Sequence, residues 1–267
     1  MSPRSLRGQG LSAAFMALTV LCPALSAAAA PLPLVPDAPG AAAVERARPR
    51  VTLERVGLRA FQYFAKPGRR SWDDYLKSIR PAAVSAEKKA RSLAMVRKED
   101  VIEPSAKRQA KLDALHPVLE YLERDTGIEV KILRLRLGWA GSLGGATVLV
   151  SEEAIDLLTA EELQAVVAHE LAHEYFADEY EAARHDMRYD TVKEIELRCD
   201  AVSIITMKGL RLDSGALLSG VAKLTKFNER RGFANNPNLV PSVEERTIFS
   251  HAMVELIEAP EVSRAGK

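Results

Sequence analysis

The chain has 267 residues, 47% hydrophobic and 27% charged, a soluble, globular balance with length enough for one or two domains. Lys and Arg number 37 against 36 Asp and Glu, so there is no charge excess to dock on nucleic acid or an anionic membrane. Two cysteines exclude a disulfide scaffold and a zinc site of four thiolates, and a mean hydropathy of −0.09 excludes a polytopic membrane protein.

Arg4 and Arg7 make a basic start, Leu11 to Leu25 is an apolar run interrupted by Pro23, and Ser26 to Ala30 is a patch of small residues. These three parts predict a secretory signal peptide over 1–30 and hence a protein exported across an inner membrane, in the periplasm, with no transmembrane span after signal removal. The alternative is an uncleaved N-terminal anchor, because apolar residues continue to Val35. Leu21 before Cys22 argues against lipoprotein processing, which needs a small residue there. Removing Arg4 and Arg7 leaves 35 basic and 36 acidic residues, and only Cys199 remains to the mature chain. Pro31, Pro33, Pro36, Pro39 and Pro49 then predict an extended linker over 31–50. Residues 51–104 read as a helical N-terminal segment, notably around Ala83 to Val96.

From Ser105 the periodicities sharpen. Leu112, Leu115, Leu119 and Leu122 recur at helical spacing, with Pro117 to kink or restart the helix and Gly127 to stop it. Ile128, Val130 and Ile132 alternate with charges as a strand does. The phase slips at Leu133 and resumes at Leu135 and Leu137, which suggests a β-bulge. The Gly-rich stretch Gly138 to Gly145 leads into a second strand, Ala146-Thr147-Val148-Leu149-Val150. Four helices follow. Thr159 with Glu162 is a capping box opening a helix to about Phe176. Thr191 with Glu194 opens a helix ending near Gly209. Asp213 caps a helix toward Gly232 with Leu217, Val221 and Leu224 on one stripe. Ser242 with Glu245 opens the last, ended before Pro260. A small sheet followed by helices is an α+β arrangement.

The chemistry lies in His169-Glu170-Leu171-Ala172-His173. Residues four apart share a helix face, so His169 and His173 can offer two imidazoles to one ion, while Glu170, about 100° round the helix, can reach a metal-bound water without binding the metal. A zinc peptidase needs this set plus a third ligand. A metzincin would place Gly and His where Phe176 and Glu179 stand, so that class is excluded. Glu196 with Asp200 one turn later fits a gluzincin: Glu196 as third ligand, Asp200 behind it orienting a ligand imidazole. Glu194, whose one-turn partner is Arg198, and His185 are the rival third ligands. Cys199 reads as a buried small side chain, His116 as a packed or surface histidine, Arg134 to Arg136 as a solvated strand face, and Trp139 as core packing with a cleft wall as its second reading.

The ordered set of Gly144 to Val150, HELAH at His169 to His173, and Glu196 to Asp200 resembles the gluzincin family of the CAAX prenyl protease and its bacterial relatives, metallopeptidase family forty-eight. The resemblance covers about Ser105 to Glu258, within a metallopeptidase domain set at 105–260. It implies a zincin-like, mainly helical α+β fold with a small β-sheet next to the HExxH helix, and one catalytic zinc per chain. It also implies hydrolysis of peptide bonds in a peptide or protein substrate, and substrate pairing against Ala146, Thr147, Val148, Leu149 and Val150. The matching stretch Val240-Pro241-Ser242-Val243-Glu244-Glu245-Arg246 departs from the family pattern. Val240 stands where a His is thought to steady the oxyanion, leaving His251, Tyr175 and Asn238 as substitutes. Two functions follow. One is a secreted zinc metalloendopeptidase that uses a zinc-bound water with Glu170 as general base. The alternative is a non-catalytic or weakly active periplasmic zinc-binding chaperone or scaffold, toward which Val240 points and against which Glu170 argues.

Overall fold

The computed structural model describes residues 57–65, 71–122, 128–145 and 147–259. The expected signal peptide and linker, the helix stop at Gly127 and the strand residue Ala146 lie outside these. Helices α1 (Leu58–Phe64), α2 (Trp72–Ser78) and α3 (Ala86–Ala94) precede strand β1 (Val101–Ile102). Then come α4 (Ala106–Asp113), α5 (His116–Tyr121) and strands β2 (Glu129–Leu133), β3 (Ala140–Leu143) and β4 (Thr147–Ser151). The rest is helical: α6 (Glu152–Leu157), α7 (Ala160–Ala172), a 3-10 turn (His173–Phe176), α8 (Ala177–His185), α9 (Tyr189–Gly209), α10 (Ala216–Glu229) and α11 (Val243–Glu258). The α+β expectation holds at this level.

Local chemistry explains most boundaries. Pro117 restarts the helix: α4 ends at Asp113, and α5 carries the proline in its first turn, where a missing N–H costs nothing. Both expected capping boxes form, Thr159 with Glu162 ahead of α7 and Ser242 with Glu245 ahead of α11. Thr191, in contrast, lies inside α9, which starts two residues earlier because Val192 N–H already bonds Arg188 C=O in helical fashion. Asp213 acts just before its helix, accepting the Gly215 N–H at 2.8 Å, and Gly215 is the cap of α10.

The sheet has four strands in the order β1-β2-β4-β3, with β2 and β4 parallel and both outer pairs antiparallel. No bulge forms at Leu133. Arg134 N–H bonds Asp100 C=O, Leu135 N–H turns back onto Leu133 C=O, and the chain leaves the sheet. Leu137 and Trp139 join Leu143 and Leu149 in a small second core, against which Leu135 packs.

β3 and β4 form a hairpin through Gly144 (φ +59°) and Gly145 (φ +69°), a backbone region that only glycine occupies cheaply. A Cβ on Gly145 would stand 2.2 Å from Glu174 Oε2. Gly145→Ala is therefore expected to lower stability by about 1–2 kcal/mol from the left-handed backbone alone, read as a lower denaturant midpoint. An unchanged midpoint would contradict this.

α7 is the centre of the molecule. The sequence shows an apolar stripe of Leu163, Val166, Val167 and Leu171, yet eleven of its thirteen residues are buried. α9 packs along it more extensively than any other element, drawn close by the alanines Ala165, Ala168 and Ala201, all fully buried, and tied by Ser203 Oγ donating to Ala165 C=O at 2.7 Å. Polar residues on α7 and α9 are thereby held inside protein. Ala60, Phe64 and Leu76, from the 51–104 segment, are buried in this same core.

Candidate metal centre

The last turn of α7 carries His169, and the 3-10 turn begins at His173. α9 brings Glu196 alongside. One ligand atom from each of these three residues lies within 4.8 Å of the others. His169 Nε2 is 3.5 Å from Glu196 Oε2, and His173 Nε2 is 3.6 Å from Glu196 Oε1. Ligands about 2.0–2.1 Å from a tetrahedral zinc stand about 3.4 Å apart. Two imidazole nitrogens and a carboxylate oxygen at these separations fit that ion in both spacing and donor type.

Asp200, fully buried one turn beyond Glu196, lies behind the cluster. Its Oδ1 is 2.8 Å from His169 Nδ1, although not in line for a full hydrogen bond. Arg246, from α11, is buried beneath both carboxylates. It donates to Glu196 Oε2 at 3.2 Å through Nη2 and to Asp200 Oδ1 through Nη1.

These contacts set opposite shifts in the metal-free protein. Burial pulls the His169 imidazole down, but the Asp200 and Glu196 carboxylates beside it outweigh burial and hold the group well above its ordinary 6.5. Burial pushes the Glu196 carboxylate up, but the charge of His173 and the neighbouring His169 imidazole outweigh it and hold the group well below 4.5. A raised base contributes stability below its unfolded value and loses it as pH rises past that value. A depressed acid contributes stability above its unfolded value and loses it as pH falls. The pair thus favours the metal-free fold most between 4.5 and 6.5. Chelated protein should melt highest in that window, and zinc uptake at pH 7 should release a proton. A melting temperature still climbing above pH 8 would contradict the sign.

Glu170 faces a cleft of about 450 Å³ that also exposes His169, His173 and Glu196. One wall is apolar, from Val166, Leu217, Val221, Leu224 and Val240. Residues of β3 and α8 also line the cleft. Glu170 Oε2 accepts the Ser142 N–H at 3.1 Å, and Ser142 Oγ donates to Glu174 Oε1 at 3.1 Å.

The expected substrate strand requires a correction. Thr147, Val148, Leu149 and Val150 belong to β4, which is buried throughout and paired on both edges, with β2 and β3. Such a strand has no backbone groups left for a peptide. The open edge beside α7 is β3. Trp139 C=O accepts from Ser151 N–H, so by antiparallel alternation Gly141 and Leu143 also face β4, while Ala140 and Ser142 face outward.

The other residues singled out by sequence fall as follows. Glu194 is bound to Arg198, which also holds Glu179 at 2.7 Å, so Glu194 stands outside the cluster. His185 sits exposed at the cleft rim, its Nδ1 3.0 Å from Asp186. Cys199 is fully buried, and burial pushes its thiol well up, as suits an inert packed side chain. His116 is at the surface, 3.8 Å from Glu120. Trp139 fills both readings, buried in the second core and lining the cleft. Val240 does line the cleft, whereas His251, Tyr175 and Asn238 do not, and His251 and Asn238 are exposed. Among the cleft residues that sequence reasoning missed are Glu174, Tyr180 and Arg184. It noted Arg246 only as a match to a pattern.

Residues 138–193 match the model of Peptidase family M48. A Protease HtpX homolog from Halobacterium salinarum is 43% identical over 65 residues, 22% of this chain and 22% of that protein. The match thus spans about a fifth of the curated relative. The family match takes in β3, β4, α7 and α8 but stops short of Glu196 and Asp200, whose part rests on the geometry above.

Proposed function

We propose, from the match of residues 138–193 to the Peptidase family M48 model, that the chain is a zinc-dependent metalloendopeptidase. The observation that carries this reading is the convergence of His169, His173 and Glu196 on a cleft shared with a carboxylate outside the cluster, Glu170. His169, His173 and Glu196 would hold one zinc, which when bound supplies a Lewis acid for the scissile carbonyl and lowers the pKa of a water.

The chain's own groups account for the rest. Glu170 takes the proton of the attacking water and passes it to the leaving amine, closing the proton balance of hydrolysis. Ser142 N–H fixes the direction of that carboxylate. Asp200 sets the orientation of His169 from behind. An extended substrate lies along β3, using the outward backbone groups of Ala140 and the outward C=O of Ser142, whose N–H is held by Glu170. The apolar wall from Val166 to Val240 supports an apolar substrate side chain. Among the described residues no helix is long and apolar enough to cross a membrane. The basic, apolar and small-residue parts of 1–30 support export to a periplasm.

The test is metal analysis with a peptide-hydrolysis assay. Chelation should abolish turnover, and zinc should restore it. His173→Ala should lose both the metal and the activity. Full metal occupancy in His173→Ala would move the site. A zinc-binding chaperone or scaffold is the second reading, favoured by Val240. A zinc-loaded protein that cleaves no peptide yet prevents aggregation of an unfolded client would select it.

A further inference from the structure

A tyrosine lines the cleft beside the histidine that begins the 3-10 turn. The Tyr180 ring meets the His173 ring edge to face, centroids 5.2 Å apart and planes at 72°. Tyr180 lines the cleft with Glu170 and Glu196. Arg184, one turn further along α8, stands beside Tyr180, its guanidinium carbon 6.0 Å from the ring centroid. A guanidinium only donates, so this neighbour can address only the oxygen lone pairs of Tyr180 and makes no claim on its O–H proton.

Three other donors lining the cleft are committed, while the buried Arg184 Nη1, also at the cleft, has no hydrogen-bond partner. Ser142 Oγ donates to Glu174. Asn228 exchanges two hydrogen bonds with the Gly138 backbone, at 2.8 and 3.0 Å. Arg246 is held by Asp200 and Glu196. Val240 has nothing to donate.

We propose that Tyr180 is the oxyanion donor of this enzyme, its O–H hydrogen-bonding the scissile carbonyl oxygen as negative charge builds there. The inference rests on the peptidase reading and fills the role that Val240 vacates. The O–H stays on the phenol throughout; no proton is transferred to the carbonyl oxygen, and no bond in Tyr180 breaks. Its energetic effect appears only as charge develops, so substrate binding is left nearly unchanged.

Wild type and Tyr180→Phe, both zinc-loaded, decide it. The phenyl ring keeps the packing on His173 and loses only the hydroxyl. A phosphonamidate peptide, whose anionic tetrahedral group imitates the charged oxygen, should bind the variant about 10²–10³-fold more weakly. The parent peptide, measured with Glu170→Gln in both backgrounds, should change by no more than about threefold, and kcat should fall with KM nearly constant. Zinc content and melting temperature should match wild type. Val240→His added to Tyr180→Phe should recover analogue affinity, since position 240 opens on the same cleft. Equal losses for analogue and parent peptide, or no loss for the analogue, would overturn the proposal. Wild type that binds the analogue but cleaves nothing would overturn the peptidase reading alone, while the ratio of affinities still decides Tyr180.

Discussion

Glu170→Gln should bind zinc as well as wild type and hydrolyse peptide about 10²–10⁴-fold more slowly, the usual contribution of a positioned general base. The exchange is nearly isosteric. Glu170 stands outside the ligand cluster, so the donors are untouched. The amide oxygen of Gln can still accept from Ser142 N–H, which now meets Glu170 at 3.1 Å, so the cleft wall is retained. What disappears is the ability to take a proton. Paired measurements of zinc content and kcat make the prediction sharp. Full zinc with turnover within about threefold of wild type would remove Glu170 from the chemistry, where a positioned base is worth far more. Loss of zinc with loss of turnover would make it a structural residue.

That same hydrogen bond shows which parts of the site a sequence reveals. The histidine pair and the base are spaced by helix geometry alone, so HExxH on a capped helix was readable. Glu196 and Asp200 were readable for the same reason, being one turn apart on α9. The capping boxes at Thr159 and Ser242 act within four residues. β3 was not readable. Ala140-Gly141-Ser142-Leu143 lacks the β-branched and aromatic residues that mark a strand, and it becomes one only by pairing with β4. Its position at the open edge is a property of strand order, and strand order follows from long-range packing. For that reason sequence pointed to Thr147–Val150 as the substrate strand, although β4 pairs on both of its edges.

Tyr180 was hidden differently. Seven residues after His173, an unbroken helix would have kept it on the histidine face. The chain instead tightens into a 3-10 turn and starts α8, so helical phase gave no licence to connect the two. The burial of α7 on nearly all sides was equally obscure. Its stripe of Leu163, Val166, Val167 and Leu171 looks like an ordinary amphipathic face, yet Gln164 is buried too, donating to Ala114 C=O at 2.6 Å. Local hydropathy cannot report a polar face that other helices cover.

Arg246→Ala should destabilise the metal-free protein by about 3–5 kcal/mol, the cost of cutting one partner from a buried charge cluster. Asp200 is 0% exposed and Glu196 4%, and Arg246 bridges them at 4% exposure. Truncation leaves two carboxylates in the interior with two imidazoles and no fixed cation, plus the volume of a buried side chain to fill. For a domain of this size the loss corresponds to a fall in melting temperature on the order of 10 °C. Zinc alters the balance, since an ion held by His169, His173 and Glu196 returns positive charge to one of the two orphaned carboxylates. The melting difference between wild type and variant should therefore shrink, though not vanish, when both are zinc-loaded, because Asp200 stays without its partner. Arg246→Lys should fall between the two, keeping the charge but not the fork that reaches both carboxylates. A metal-free Arg246→Ala that melts within a degree or two of wild type would mean that the carboxylates take up protons at little cost, and that Arg246 is not what holds α11 against α9.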